Sequence, residues 1–119
     1  MIRERCAVAT VAGDVYLDGH VVVEGNRIVA VGPGRYAGEG ERRDLSGCLV
    51  TPGLINTHHH LYQTLTRARA QEADLFTWLR ELYPVWSRID AEAEYAAART
   101  GLAELALSGC TTVFDHHYV

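Results

Sequence analysis

The chain has 119 residues, of which 48% are apolar and 22% charged, and its formal net charge is −4. That length suits one ordinary domain and no more. The apolar share supports a buried core rather than disorder, and an acidic balance without a basic stripe argues against nucleic acid as a partner. The longest apolar runs fall far short of a membrane span, and the charged start Met1-Ile2-Arg3-Glu4-Arg5 has no apolar stretch behind it, so neither a membrane segment nor a secretory signal is expected. Cys6, Cys48 and Cys110 are odd in number and lack CxxC spacing. They read as reduced thiols in a cytoplasmic protein.

The first fifty residues read as β structure. Cys6 to Val11 is a short β-rich run, and Asp14 to Leu17 and His20 to Glu24 flank Asp18-Gly19. Gly25-Asn26, set between Val21-Val22-Val23 and Ile28-Val29-Ala30-Val31, is a two-residue hairpin signal. The glycines of 32–40 fit neither GxGxxG nor a phosphate-binding loop, and the segment reads as a connector. From Cys48 to Ile55 an apolar run, interrupted by Thr51-Pro52-Gly53, leads into three histidines, as a short buried strand with a polar far end would.

A helical region follows. Leu75, Trp78, Leu79 and Leu82 fall at i, i+3, i+4 and i+7, with Asp74 placed to cap and Pro84 to end or kink the helix. Asp90 can cap a second helix, with Glu92 and Glu94 in its first turn and Tyr95, Ala98, Leu102 and Leu105 as its apolar stripe. Ser108-Gly109 closes that helix. Thr111 to Phe114 is β-branched and aromatic, hence a strand, and it runs into Asp115-His116-His117-Tyr118. Strand, helices, strand implies a parallel pair joined by a crossover. Parallel strands need cover on both faces, which two strands do not supply. The expectation is the N-terminal piece of a larger α/β protein, or a truncated product.

In a strand, residues i and i+2 share a face. His58 and His60 therefore project together and His59 projects away, into a structural or supporting role. Two imidazoles at the C-terminal end of a parallel strand make half of a metal site, where α/β folds place their chemistry. A catalytic zinc takes three protein ligands and keeps one position open, so at least one more ligand comes from elsewhere. A bare HxH also arises by chance, and histidine is a common hydrogen-bonding residue. His116 and His117 also end a strand and can simply hydrogen-bond nearby groups.

The stretch from Val50 to His60, VTPGLINTHHH, resembles the signature of the amidohydrolase superfamily: Pro-Gly, two apolar residues, Asp or Asn, any residue, then His-x-His. The resemblance extends over the whole chain. It implies a fold of class α/β, the N-terminal part of a (β/α)8 metal-dependent hydrolase barrel preceded by a partial β-sandwich. Residues 1–50 would be the N-terminal share of that composite sandwich. Residues 51–119 would be the start of the barrel: first strand, helical excursion, helix and second strand. A whole barrel needs about 250 residues. His58-x-His60-Leu61-Tyr62-Gln63 is further similar to the HxHxxQ aminohydrolase branch, and HHHLYQTLTRA, LFTWLRELYPVW and TTVFDHHYV look most like 8-oxoguanine deaminases.

That resemblance implies an intact protein that is a metal-dependent hydrolytic deaminase of a purine-like base such as 8-oxoguanine. His58 and His60 would be metal ligands for one divalent ion, Zn2+ or alternatively Fe2+, and Gln63 would bind the base. An amide suits that task, because it offers both a donor and an acceptor to a ring carbonyl and its neighbouring N–H. Arg67 and Trp86 are further candidates for lining the pocket. The acid/base groups and remaining ligands are expected beyond Val119, so the 119-residue chain alone is expected to be inactive. The partners expected are a small-molecule substrate, no nucleic acid and no membrane, with a homo-oligomer at full length. The alternatives are a triazine- or guanine-type aminohydrolase or chlorohydrolase, or a catalytically inactive truncated fragment. The other nucleobase-deaminase fold is set aside, since its H-x-E and PCxxC signature is absent.

Overall fold

The computed structural model describes residues 1–117. The chain divides into two compact units, Met1–Pro52 and Gly53–Val119. The first unit is a five-stranded sheet. β1 (Ile2–Ala9) pairs antiparallel with β2 (Val15–Glu24), which pairs antiparallel with β3 (Arg27–Pro33). β4 (Arg42–Asp44) and β5 (Leu49–Val50) both run parallel to β1. Along β1 the burial alternates strictly, with Ile2, Glu4, Cys6 and Val8 inside, the period of a half-buried strand. Cys6, Val8 and Val21 form the cluster at the centre, with Tyr16, Val23, Leu45 and Val50 packed against it.

The Gly25-Asn26 hairpin forms as expected, joining Glu24 and Arg27 in register with Gly25 at φ 59°, the left-handed conformation such a turn requires. Two other expectations fail. β1 begins at Ile2 rather than Cys6, so it includes the charged Arg3-Glu4-Arg5. The Glu4 carboxylate is buried and takes Arg35 Nη2 at 3.1 Å and Arg42 Nη1 at 2.5 Å. Arg5 sits at φ 62° in a bulge that keeps the alternation in phase on either side. The two runs flanking Asp18-Gly19 are one strand: β2 runs unbroken from Val15 to Glu24, and Gly19 lies close under Gly32 O and Val8 Cγ2, where a side chain would not fit.

The second unit pairs β6 (Leu54–His59) with β7 (Cys110–Asp115) in parallel, as the strand–helix–strand order predicts. Between them lie a 3-10 helix (Leu61–Thr66), α1 (Leu75–Trp86) and α2 (Ala91–Leu107). Asp74 caps α1 by accepting from Thr77 N at 2.8 Å, and Asp90 caps α2 by accepting from Ala93 N at 2.9 Å. Pro84 lies inside α1, which continues to Trp86. The core is aromatic: Tyr62, Leu82 and Trp86 are fully buried, and Trp86 Nε1 donates to Thr66 Oγ1 at 2.9 Å. The expected stripe on α2 is wrong. Tyr95 and Leu102 are exposed, and the buried positions are Ala97 and Gly101. A Cβ on Gly101 would lie 2.9 Å from Leu61 Cδ2 and 3.0 Å from Thr64 Oγ1. The small residues let α2 approach the 3-10 helix closely, so its packed face is defined by absent bulk rather than by apolar periodicity.

Candidate active site

β6 carries the histidines to its C-terminal end, and the chain then turns into the 3-10 helix. Asn56 Oδ1 accepts from His58 N at 3.0 Å, where the register of β6 with β7 is irregular between Asn56 and His59. His58 Nε2 and His60 Nε2 come to 3.1 Å of one another. Two nitrogens bound at about 2.0–2.1 Å to one tetrahedral ion would stand about 3.3 Å apart, so the pair already has close to the bite a single metal needs. His60 Nδ1 lies 2.7 Å from His116 O. A carbonyl only accepts, so Nδ1 carries the proton and Nε2 keeps its lone pair, the tautomer a ligating histidine requires.

His58 is the more exposed of the two, and its ring stacks on that of His116, with centroids 4.4 Å apart and planes tilted by 31°. His116 Nε2 in turn lies 3.3 Å from Thr57 O. His59 Nδ1 is buried without a hydrogen-bond partner, and its ring approaches α2, with Cε1 3.9 Å from where a Cβ on Gly101 would stand. His117 Nδ1 faces the carboxylates of Asp115 at 3.5 Å and Glu94 at 3.6 Å. Among the described residues, no three His, Cys, Asp or Glu groups are set to hold a metal together.

An open pocket of about 360 Å³ gathers His58, His59, His60 and Gln63 with Arg67 and Trp78. Gln63 is half-buried, and its Nε2 donates to Tyr62 Oη at 3.1 Å. That bond fixes the amide on a residue of the core while a second N–H and the carbonyl oxygen belong to the same group. Arg67 lines the pocket, but its guanidinium grips Glu104 with two bonds, 2.7 and 2.5 Å long. The hydrogen bond from Arg67 holds the Glu104 carboxyl below its ordinary range, and the same contact pushes Arg67 up. Trp86 does not line the pocket: it is a core residue, 1% exposed, and Trp78 is the indole at the rim. The expected stripe stopped at Leu82, before Pro84, but α1 continues through Pro84 and brings Trp86 into the same buried cluster.

Sequence reasoning missed what holds the motif in place. Leu61 N donates to Asp115 Oδ1 at 2.8 Å, and His116 N donates to His59 O at 2.7 Å. The only hint in the sequence is an acidic residue immediately after the β-branched run of β7. Tyr118 and Val119, which close the TTVFDHHYV match, lie outside the described residues.

Residues 49–119 match the Amidohydrolase family. The chain is 46% identical to the 8-oxoguanine deaminase of Pseudomonas aeruginosa, covering 99% of this chain and 27% of that enzyme. It is 35% identical to the hydroxydechloroatrazine ethylaminohydrolase of Pseudomonas sp. (strain ADP), over 91% of this chain and 25% of that enzyme. Among solved structures, the zinc complex of the atrazine chlorohydrolase of Arthrobacter aurescens TC1 superimposes with a TM-score of 0.85 at 30% identity, covering 98% of this chain and 28% of that one. The chain thus spans about a quarter of the length of the curated relatives it matches. With the signature at the end of its first parallel strand and the family match running from there through the second, this chain belongs to the amidohydrolase family.

Proposed function

We propose that this chain is the part of a longer hydrolytic deaminase that supplies two metal ligands and one substrate contact, and that the substrate is a purine-like base such as 8-oxoguanine. The single observation that carries the reading is the pair of Nε2 atoms 3.1 Å apart, with His60 held in the ligating tautomer by His116 O. His58 and His60 would hold one divalent ion, Zn2+ in the first instance. Such an ion lowers the pKa of a water toward neutrality and so supplies a nucleophile at physiological pH.

The chain's own residues do the rest of what is assigned to it. His58 and His60 set the place of attack at the end of β6. Gln63, three residues on and anchored to Tyr62, presents amide groups that read a ring carbonyl beside an N–H. Water adds to the amino-bearing carbon and ammonia leaves. The proton transfers belong to acid/base groups in the rest of the protein, and so does the activity, so the 119 residues alone would release no ammonia.

The 46% identity to an 8-oxoguanine deaminase supports the purine reading. A second reading, a triazine-type aminohydrolase or chlorohydrolase, is favoured by the structural likeness to the atrazine enzyme. A panel of purines and chlorinated or aminated triazines, followed by ultraviolet absorbance and ammonia release, separates the two. The metal assignment is tested directly in the longer protein. His58→Ala and His60→Ala should each lower bound zinc at least tenfold by elemental analysis and abolish turnover. Full zinc content and activity in either variant would refute it.

A further inference from the structure

Two hydrogen bonds from the end of β7 converge on the residue pair at the end of β6. The 3-10 helix that carries Gln63 starts directly after His60, and His60, in the N-cap position, supplies no side-chain cap. Its first free N–H, that of Leu61, is capped instead by Asp115, a residue 54 positions away. The next residue, His116, gives its carbonyl to His60 Nδ1 and its N–H to His59 O. Asp115 lies opposite His59 in the β6–β7 register, so its carboxylate reaches across the strand end to the turn. Its second oxygen faces His117 Nδ1 at 3.5 Å, and His117 is also 3.6 Å from Glu94 of α2. The carboxylate is therefore held between the turn it caps and a ring pinned toward α2.

We propose that Asp115 is a positioning residue. By capping Leu61 N it fixes the turn between β6 and the 3-10 helix, and so sets both the aim of the His60 ring and the place of Gln63. Without the cap, Leu61 N would be a buried donor lacking its partner, and the turn would relax to satisfy it. The relaxation moves His60 away from His116 O, since residue 60 is the hinge of that turn. Gln63 moves with it, because its own N–H is bonded to His60 O at 3.0 Å. The role rests on the reading of His60 as a ligand and Gln63 as a substrate contact, but its structural half stands on the chain alone.

The test uses the 119-residue chain, labelled with 15N, with every variant compared at one fixed pH. Long-range 1H–15N spectra of the histidine rings, with the His60 signals identified through His60→Gln, report its tautomer. The wild-type chain should show His60 fixed with its proton on Nδ1. Asp115→Ala should give a mixed tautomer, and Asp115→Asn, which keeps an acceptor oxygen for Leu61 N, should restore the fixed one. Amide-exchange protection along the β6–β7 ladder serves as the control for folding. In the longer protein, Asp115→Ala should weaken Zn2+ binding at least tenfold, the usual consequence of losing a group that orients a ligand, and Asp115→Asn should recover most of it. A fixed Nδ1–H tautomer in Asp115→Ala, or equal loss in the Ala and Asn variants, would overturn the positioning role. The outcome that sinks the metal reading is different: full zinc content in His58→Ala, whatever the His60 tautomer does.

Discussion

In the first unit, a charge lies inside the sheet while several large apolar side chains lie outside it; in the second, histidines gather at one strand end and the core is aromatic. Glu4 is buried in β1 between two arginines, while Ile28 and Leu17 on the neighbouring strands are 66% and 88% exposed. Tyr62 of the 3-10 helix and Trp86 of α1 are buried against one another, while Ile55 and Phe114 of the parallel pair are 67% and 64% exposed. The difference follows from how each sheet satisfies its backbone. β1, β2 and β3 complete one another through short antiparallel connections, so a small aliphatic cluster suffices to hold them. A parallel pair depends on packing by the elements between its strands. Here those elements cover the end of the pair that carries the histidines and leave apolar side chains of both strands exposed. The turn that follows the histidines is capped by the neighbouring strand.

The most forceful way to break that contrast is to remove the aromatic core of the second unit. Trp86→Ala deletes a fully buried indole and the donor to Thr66 Oγ1. Truncations of this kind cost about 3–5 kcal/mol. Both tryptophans belong to the second unit, so the fluorescence of the remaining Trp78 follows that unit alone during denaturant unfolding. Its midpoint should fall steeply, while amide protons of the β1–β2 ladder keep their exchange protection. Parallel loss in both places would mean that the two cores do not act separately.

A finer probe is the close approach of α2 to the 3-10 helix. Gly101→Ala improves helix propensity by about 1 kcal/mol. The same change drives a methyl into Leu61 and Thr64, and overpacking of this kind costs about 1–3 kcal/mol. The net expectation is a loss of about 1 kcal/mol, read from the same fluorescence transition. A stabilised variant would show that Leu61 moves aside freely and that the approach is not tight.

These two residues also show where the sequence was informative. The Gly25-Asn26 hairpin, the caps Asp74 and Asp90, and the paired projection of His58 and His60 each depend on neighbours within a few positions, and each could be read directly. Trp86 and Gly101 are decided by what α1 and α2 pack against, and that partner is a 3-10 helix with no periodic signature of its own. The start of β1 was hidden for a related reason. Arg3-Glu4-Arg5 looks solvated, yet Glu4 is buried because Arg35 and Arg42, more than thirty residues later, neutralise it. Asp115 was illegible because its partner, Leu61 N, is a backbone group in another element. Spacing within a strand revealed that His58 and His60 come together, but nothing local revealed the contacts from β7 that hold the turn after them.

The smallest effect expected is in the first unit, and it is one of pH. Burial works to raise the Glu4 carboxyl, but the hydrogen bonds and charges of Arg35 and Arg42 outweigh it and hold the group below its ordinary 4.5. A carboxyl whose folded pKa is depressed contributes stability above its unfolded value and loses it as pH falls through the folded one. The β1–β2 ladder should therefore lose exchange protection progressively as pH is lowered from about 5, near the ordinary carboxylate range. Glu4→Gln removes the titrating group, so the pH slope of that protection should flatten below pH 5 even though the variant is less stable at pH 7. Arg35 is largely exposed, so solvent screens its share and the slope is shallow. An unchanged slope in Glu4→Gln would assign the acid sensitivity of the first unit elsewhere, with Asp44 as the next group to replace, since its carboxyl is also held low, first by the Ser46 hydroxyl and then by Arg5.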